Sequence, residues 1–104
     1  MANEFDNQKT KKAAESVVYE IDWRGAGNRK ALRDSDTIAT SAWAFVSTGH
    51  GMTLDNDGVV GTNTVAQVRL VGGTVGGPYQ LRNTITTSAS PVETLVEDLF
   101  ITVE

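Results

Sequence analysis

The side chains able to do chemistry in this 104-residue chain are few: one histidine, no cysteine and thirteen carboxylates. His50 stands in Ser47-Thr48-Gly49-His50-Gly51. An imidazole near a hydroxyl is the start of a base–nucleophile pair. A serine nucleophile of that kind is usually held on a Gly-x-Ser-x-Gly strand-to-helix turn, and the chain has no such motif. With glycine on both sides, His50 reads instead as an exposed turn residue. Asp55-Asn56-Asp57-Gly58 resembles the opening of a calcium loop. Such a loop spreads its ligands over about 12 residues and ends in a bidentate Glu. No Glu lies between Glu20 and Glu93, so an Asp-Gly hairpin turn is the expectation. Asp34 and Asp36 are a second acidic pair that could lie nearby. The paired glycines at 72–73 and 76–77 lack the strand-to-helix setting of a phosphate loop and read as turns that need positive φ. Without cysteine there is neither a disulfide framework nor a thiolate metal site. No catalytic, cofactor-binding or metal-binding residue is expected, and no cofactor.

Charge points away from two classes of partner. Net charge is −4. Residues 1–88 hold nine acids and nine bases, so the whole excess lies in Glu93, Glu97, Asp98 and Glu104. A nucleic-acid binder needs a basic stripe. The one basic cluster, Lys9, Lys11 and Lys12, has acids on both sides. No apolar run approaches the roughly 20 residues that span a bilayer as a helix. The first dozen residues are polar and lack the apolar stretch of a secretory signal, so synthesis and folding in a cytoplasm are expected.

The elements that would position these residues are strands. Thirteen threonines and twelve valines stand against six leucines, a β-branched balance that favours sheet. Residues 1–14 form a polar lead-in, read as a flexible arm or a short helical tail. Residues 15–104 form the sandwich domain. The first strand, 15–23, places Val17, Tyr19, Ile21 and Trp23 on one face by period-two alternation. Residues 24–34 read as a loop, with room for one helical turn over 29–32. In the second strand, 36–45, Ile38 falls out of phase with Trp43 and Phe45, so a bulge near residues 40–42 or a move between sheets is expected. Met52-Thr53-Leu54 and Val59-Val60 would pair around the Asp-Gly turn. The third strand spans 63–71. The fourth, 79–87, turns Tyr79, Leu81, Asn83 and Ile85 one way. Gln80, Arg82, Thr84 and Thr86 turn the other way, and Thr84, Thr86 and Thr87 read as an outer threonine ladder or a wet docking face. The fifth, from about 92 to 104, points Leu99, Ile101 and Val103 inward.

Short strands with turns every 8–12 residues indicate an all-β, immunoglobulin-like sandwich. Tyr79, at the head of its strand, fits a tyrosine corner. The two tryptophans and three phenylalanines are expected to carry much of the core's area, with Trp43 placed in the core.

Four segments in order then carry a resemblance: Tyr19-Glu20-Ile21-Asp22-Trp23; Asp36-Thr37-Ile38-Ala39-Thr40-Ser41-Ala42-Trp43; Val71-Gly72-Gly73-Thr74; and Tyr79 with Asn83-Thr84-Ile85-Thr86-Thr87. Over residues 17–88 the chain resembles the phage fiber-tail adaptor proteins, small virion structural proteins of tailed phages. It departs at Ser88-Ala89-Ser90-Pro91, where relatives turn on Gly-Arg, and its lead-in and its 24–34 loop are longer. The resemblance implies a non-enzymatic subunit of a virion, made in the bacterial host cytoplasm. It would act as a fiber-tail or head-tail adaptor, in a homo-oligomeric ring or other multi-copy assembly. Its partners would be tail, neck or fiber subunits, with no nucleic acid and no membrane. A different class also fits a small sandwich: a capsid- or fiber-decorating module that binds carbohydrate or a receptor, which would need Trp23 or Tyr19 exposed.

Overall fold

Alternation of apolar and polar residues is clearest after Gly77, and the longest strand forms there. A computed structural model describes residues 7–24, 32, 33 and 35–104. Its strands are β1 (Gln8–Lys11), β2 (Ser16–Asp22), β3 (Ile38–Phe45), β4 (Met52–Val60), β5 (Val65–Gly72), β6 (Gly76–Thr87) and β7 (Thr94–Val103). They form a four-stranded sheet, β1-β7-β6-β3, and a three-stranded sheet, β2-β5-β4. In an immunoglobulin constant domain the first, second, fifth and fourth strands share one sheet, and the third, sixth and seventh the other. The order here is the same except that the first strand has crossed over to lie parallel to the last. The fold is an all-β, immunoglobulin-like sandwich.

The inner faces meet as the alternation requires. Ile21, Ala66, Val68 and Leu70 from one sheet and Leu81, Ile85, Leu99 and Ile101 from the other are fully buried. Each of these side chains other than Ala66 contributes roughly 1.5–3 kcal/mol by leaving water. Tyr79 opens the regular part of β6 and donates its hydroxyl to the Thr74 carbonyl at 3.0 Å, the tyrosine corner expected from sequence. Two residues on, where antibody domains carry a core cysteine, this chain buries Leu81.

Several expectations are corrected. The polar lead-in supplies β1, registered as Gln8↔Phe100 to Lys11↔Val103. Its inward residues are lysines, so it carries no apolar signal. Lys11 is buried and its ammonium donates to the carbonyls of Lys12 (2.9 Å) and Gly72, so the buried charge is met by backbone acceptors. The helical turn expected over 29–32 lies largely outside the described residues; Leu32, its last residue, is buried and donates its amide to Trp23.

The Asp-Gly segment is not a hairpin turn. β4 runs through it without a break, because β5 offers one continuous partner. Between Asp55↔Arg69 and Gly58↔Gln67, β4 has one residue more than β5. Asn56 takes φ of 50° there, and the extra residue is absorbed as a bulge. The bulge in β3 falls at Ala39, between Ile38↔Thr87 and Thr40↔Thr86, just ahead of the expected place. It brings Ile38, Ser41, Trp43 and Phe45 onto the inner side, as the phase argument requires. Thr87 points inward, not outward: it is buried and its hydroxyl accepts the Glu93 amide. Trp23 is the fully buried tryptophan and Trp43 only partly so. At Gly77, φ is 107° and a Cβ would stand 2.7 Å from the Ile101 carbonyl oxygen, so the irregular start of β6 requires glycine.

Candidate interaction surfaces

A sandwich offers partners its two outer faces, its edges and its turns. On the four-stranded sheet the outward residues are Thr40, Ala42 and Ala44 of β3, Gln80, Arg82, Thr84 and Thr86 of β6, and Thr94, Val96, Asp98 and Phe100 of β7. Small side chains make this face flat. Its charges cancel. Arg82 donates through Nε and Nη2 to both Asp98 oxygens (2.9 and 3.2 Å), and Gln80 adds a third bond at 2.7 Å. The bond from Arg82, helped by Gln80 and opposed by burial, holds the Asp98 carboxyl below its ordinary value; the same pair raises Arg82. Thr40 and Thr86 share a hydroxyl–hydroxyl bond of 2.6 Å, one rung of the expected threonine ladder. The face of the three-stranded sheet is different. Glu20 and Asp22 lie outward with Asp55 and Arg69.

The turn residues singled out for chemistry have structural partners. Asp55 receives Arg69 through Nε and Nη2 at 2.8 and 2.9 Å. Those bonds outweigh burial and lower the Asp55 carboxyl, while Arg69 is raised. Asp34 lies outside the described residues. Asp36 is buried. Its Oδ1 accepts the amides of Thr37 (2.8 Å) and Ala89 (2.9 Å), and its Oδ2 accepts Arg33 at 3.3 Å. Burial pushes this carboxyl up, but the two amides and the guanidinium together win, and it sits below its ordinary value. Arg33 also donates to the carbonyls of Ala89 and Pro91. Asp36 and Arg33 therefore clamp the segment before β3 to the β6–β7 turn.

His50 is half-buried rather than an exposed turn residue. Its ring stacks on Phe45 with centroids 3.7 Å apart and meets Tyr79 edge-on at 6.4 Å. Nδ1 accepts the Met52 amide at 3.0 Å, and the His50 carbonyl accepts the Thr74 amide at 2.8 Å. The Ser47 hydroxyl accepts the Gln80 amide at 2.9 Å. Base and hydroxyl are thus each engaged with backbone; the His50 carbonyl ties the β3–β4 turn to the β5–β6 turn, and Ser47 ties it to β6.

One network was not anticipated. Asn83 lies fully buried between the sheets. Its Oδ1 accepts Trp23 Nε1 at 2.9 Å, and its Nδ2 donates to Ser41 Oγ and the Ala42 carbonyl, both at 3.0 Å. Sequence alternation placed Asn83 inward, and a polar residue at an inward position was the signal that it needed partners. The same burial bears on carbohydrate stacking: Trp23 is 1% exposed and Tyr19 8%, so neither offers a ring to solvent. Burial, with Glu15 nearby, raises the Tyr19 phenol.

Most of the block from Asp36 to Trp43 acquires a structural reason. Asp36 holds the clamp, Ile38 enters the core, Ala39 bulges, Thr40 joins the ladder and Ser41 accepts Asn83. A comparison with known families matches residues 11–101 to the podophage GP4 fiber-tail adaptor protein gp77. The chain belongs to this fiber-tail adaptor family. No curated protein sequence matches the chain. Among solved structures, the PKD domain from the KIAA 1837 protein is similar at 19% identity and a TM-score of 0.47, with 93% of this chain and 79% of that chain covered.

Proposed function

We propose that this adaptor-family chain is a structural subunit of a tailed-phage virion, joining fiber to tail in several copies through protein–protein contacts, without catalysis. The match to the fiber-tail adaptor family across residues 11–101 carries the reading. The surfaces support it. The flat, charge-balanced face of the four-stranded sheet suits burial against another protein, since its charges need no outside partner. Ser47 and His50 are engaged with backbone, Asp36 holds the clamp to the β6–β7 turn, and Asp55 is paired with Arg69 across β4 and β5. Host-cytoplasmic synthesis followed by incorporation into particles is the accompanying localisation. Purified virions of the encoding phage provide the test. Several copies of the chain per particle, located by microscopy between tail and fiber, are expected; particles that contain none defeat the proposal.

A further inference from the structure

A two-sheet sandwich has four edge strands, and each exposed edge is a template for pairing with another chain. Proteins guard such edges by keeping them short, by placing lysines or other charges on them, or by bulging them. Three edges here carry such guards. β1 has four residues and two lysines, Lys9 and Lys11. β2 carries Glu20 and Asp22. β4 carries Asp55 and Asp57 and is bulged in its middle.

The fourth edge, β3, has none of these over most of its length. Residues 37–49 contain no charged side chain and no proline. The bulge at Ala39 lies at the start of the strand and leaves Thr40 to Phe45 in unbroken register with β6, its one strand partner among the described residues. The Val46 amide donates to the Gln80 carbonyl at 2.8 Å. In an antiparallel ladder alternate residues bond to the same neighbour, so Ala44, Ala42 and Thr40 bond toward β6. Ser41, Trp43 and Phe45 then turn their N–H and C=O groups to the open side.

We infer that β3 pairs edge to edge with β3 of a second copy of this chain, antiparallel and across a two-fold axis at Trp43. This names one surface through which pairs of the copies proposed above meet, and to that extent rests on that reading. Three observations select a second copy as the occupant. First, with three edges guarded, the open one can be satisfied within a homogeneous assembly only by its own kind, and a two-fold contact closes without propagating. Second, a strand paired with itself sets its own charges near one another, and β3 has none to repel. Third, the register brings small residues together on the outer side of the sheet. Ser41 meets Phe45 of the copy and Trp43 meets Trp43, giving roughly six backbone hydrogen bonds. On the outer side Ala42 then lies against Ala44, and Thr40 against Val46, which is 50% exposed in the single chain. The result is one eight-stranded sheet that continues the flat threonine face of each copy.

The test is sedimentation equilibrium of the full chain from micromolar to millimolar concentration, with Ala42→Lys beside it. Ala42 is exposed on the outer side, so the variant keeps the sandwich, which far-UV circular dichroism and a urea titration verify. The unaltered chain should show a monomer–dimer equilibrium. Ala42→Lys should weaken it about a hundredfold or more, the effect of setting unpaired like charges at a contact. Val18→Lys, on guarded β2, should leave it unchanged. Amide exchange gives a second readout: Ser41, Trp43 and Phe45 should become protected as concentration rises, whereas Ala42 and Ala44 should be protected throughout. A chain that stays monomeric, or a dimer that Ala42→Lys leaves intact, overturns the inference. Absence of the chain from virions would remove the adaptor reading and leave the solution dimer standing; a strict monomer found in virions would do the reverse.

Discussion

Asn83 and Trp23 give the sharpest test of how the two sheets are held together. Asn83→Leu keeps the side-chain volume close but deletes three hydrogen bonds, at 2.9, 3.0 and 3.0 Å. Each contributes about 0.5–1.5 kcal/mol net, and a buried donor left unpaired costs about 1–3 kcal/mol more. The Trp23 indole N–H becomes such a donor, so the variant should lose about 3–5 kcal/mol. Trp23→Phe removes the indole N–H, leaves Asn83 Oδ1 without its partner and opens a small void, for about 2–4 kcal/mol. The shared bond can be lost only once, and in the double variant neither orphan exists. The double variant should therefore be less damaged than the sum of the singles by about 1–3 kcal/mol. Urea titrations followed by far-UV circular dichroism measure this, since one variant removes a fluorophore; equal slopes would show that two-state behaviour is kept. Additivity within about 0.5 kcal/mol would refute the coupling and with it the structural role given to Asn83.

Three further outcomes follow from the same structure. Tyr79→Phe should cost about 1 kcal/mol in a denaturant titration, the scale of the one bond to the Thr74 carbonyl. Trp23→Ala should lower the thermal midpoint more than Trp43→Ala, because Trp23 is the fully buried ring; the opposite order would mean the two have been assigned to the wrong layers. Asp36, Asp55 and Asp98 are all held below their ordinary values when folded. Their stabilisation is present above the unfolded carboxylate value of about 3.9 and is lost as pH falls through the folded values. The urea midpoint should accordingly be nearly flat from neutral pH down to about 5 and drop below about 4, and Asp36→Asn should flatten that acid slope.

Much of the sandwich was legible because period-two alternation is a direct consequence of the pleat. β2, β5, β6 and β7 all sit where alternation put them, and the phase slip between Ile38 and Trp43 announced a bulge within a residue or so of its place. β4 was misread because Asp-Gly is a good turn only when nothing pairs across it; the unbroken neighbour β5, a tertiary fact, turned the same residues into a bulge. β1 was illegible for the opposite reason. Its inward positions are lysines, and only the carbonyls at the far end of the sandwich make a buried ammonium acceptable. The interaction surfaces were partly visible as the run of exposed threonines. Their neutrality was not, because it depends on Arg82 facing Asp98 across two strands.

The parallel pairing of β1 with β7 has a mechanical meaning. The chain enters the ladder beside Phe100 and leaves it beside Lys11, where the Glu104 amide donates to the Lys11 carbonyl at 2.8 Å and the Ala13 amide to the Glu104 carbonyl at 3.1 Å. Tension applied through the segment before β1 and the segment after β7 would draw the two strands past each other along their length. The rungs then carry the load together, in shear, instead of opening one at a time. A joint built this way resists a steady pull along that axis far better than its few kilocalories of equilibrium stability suggest, because failure under force is set by the rate of unfolding.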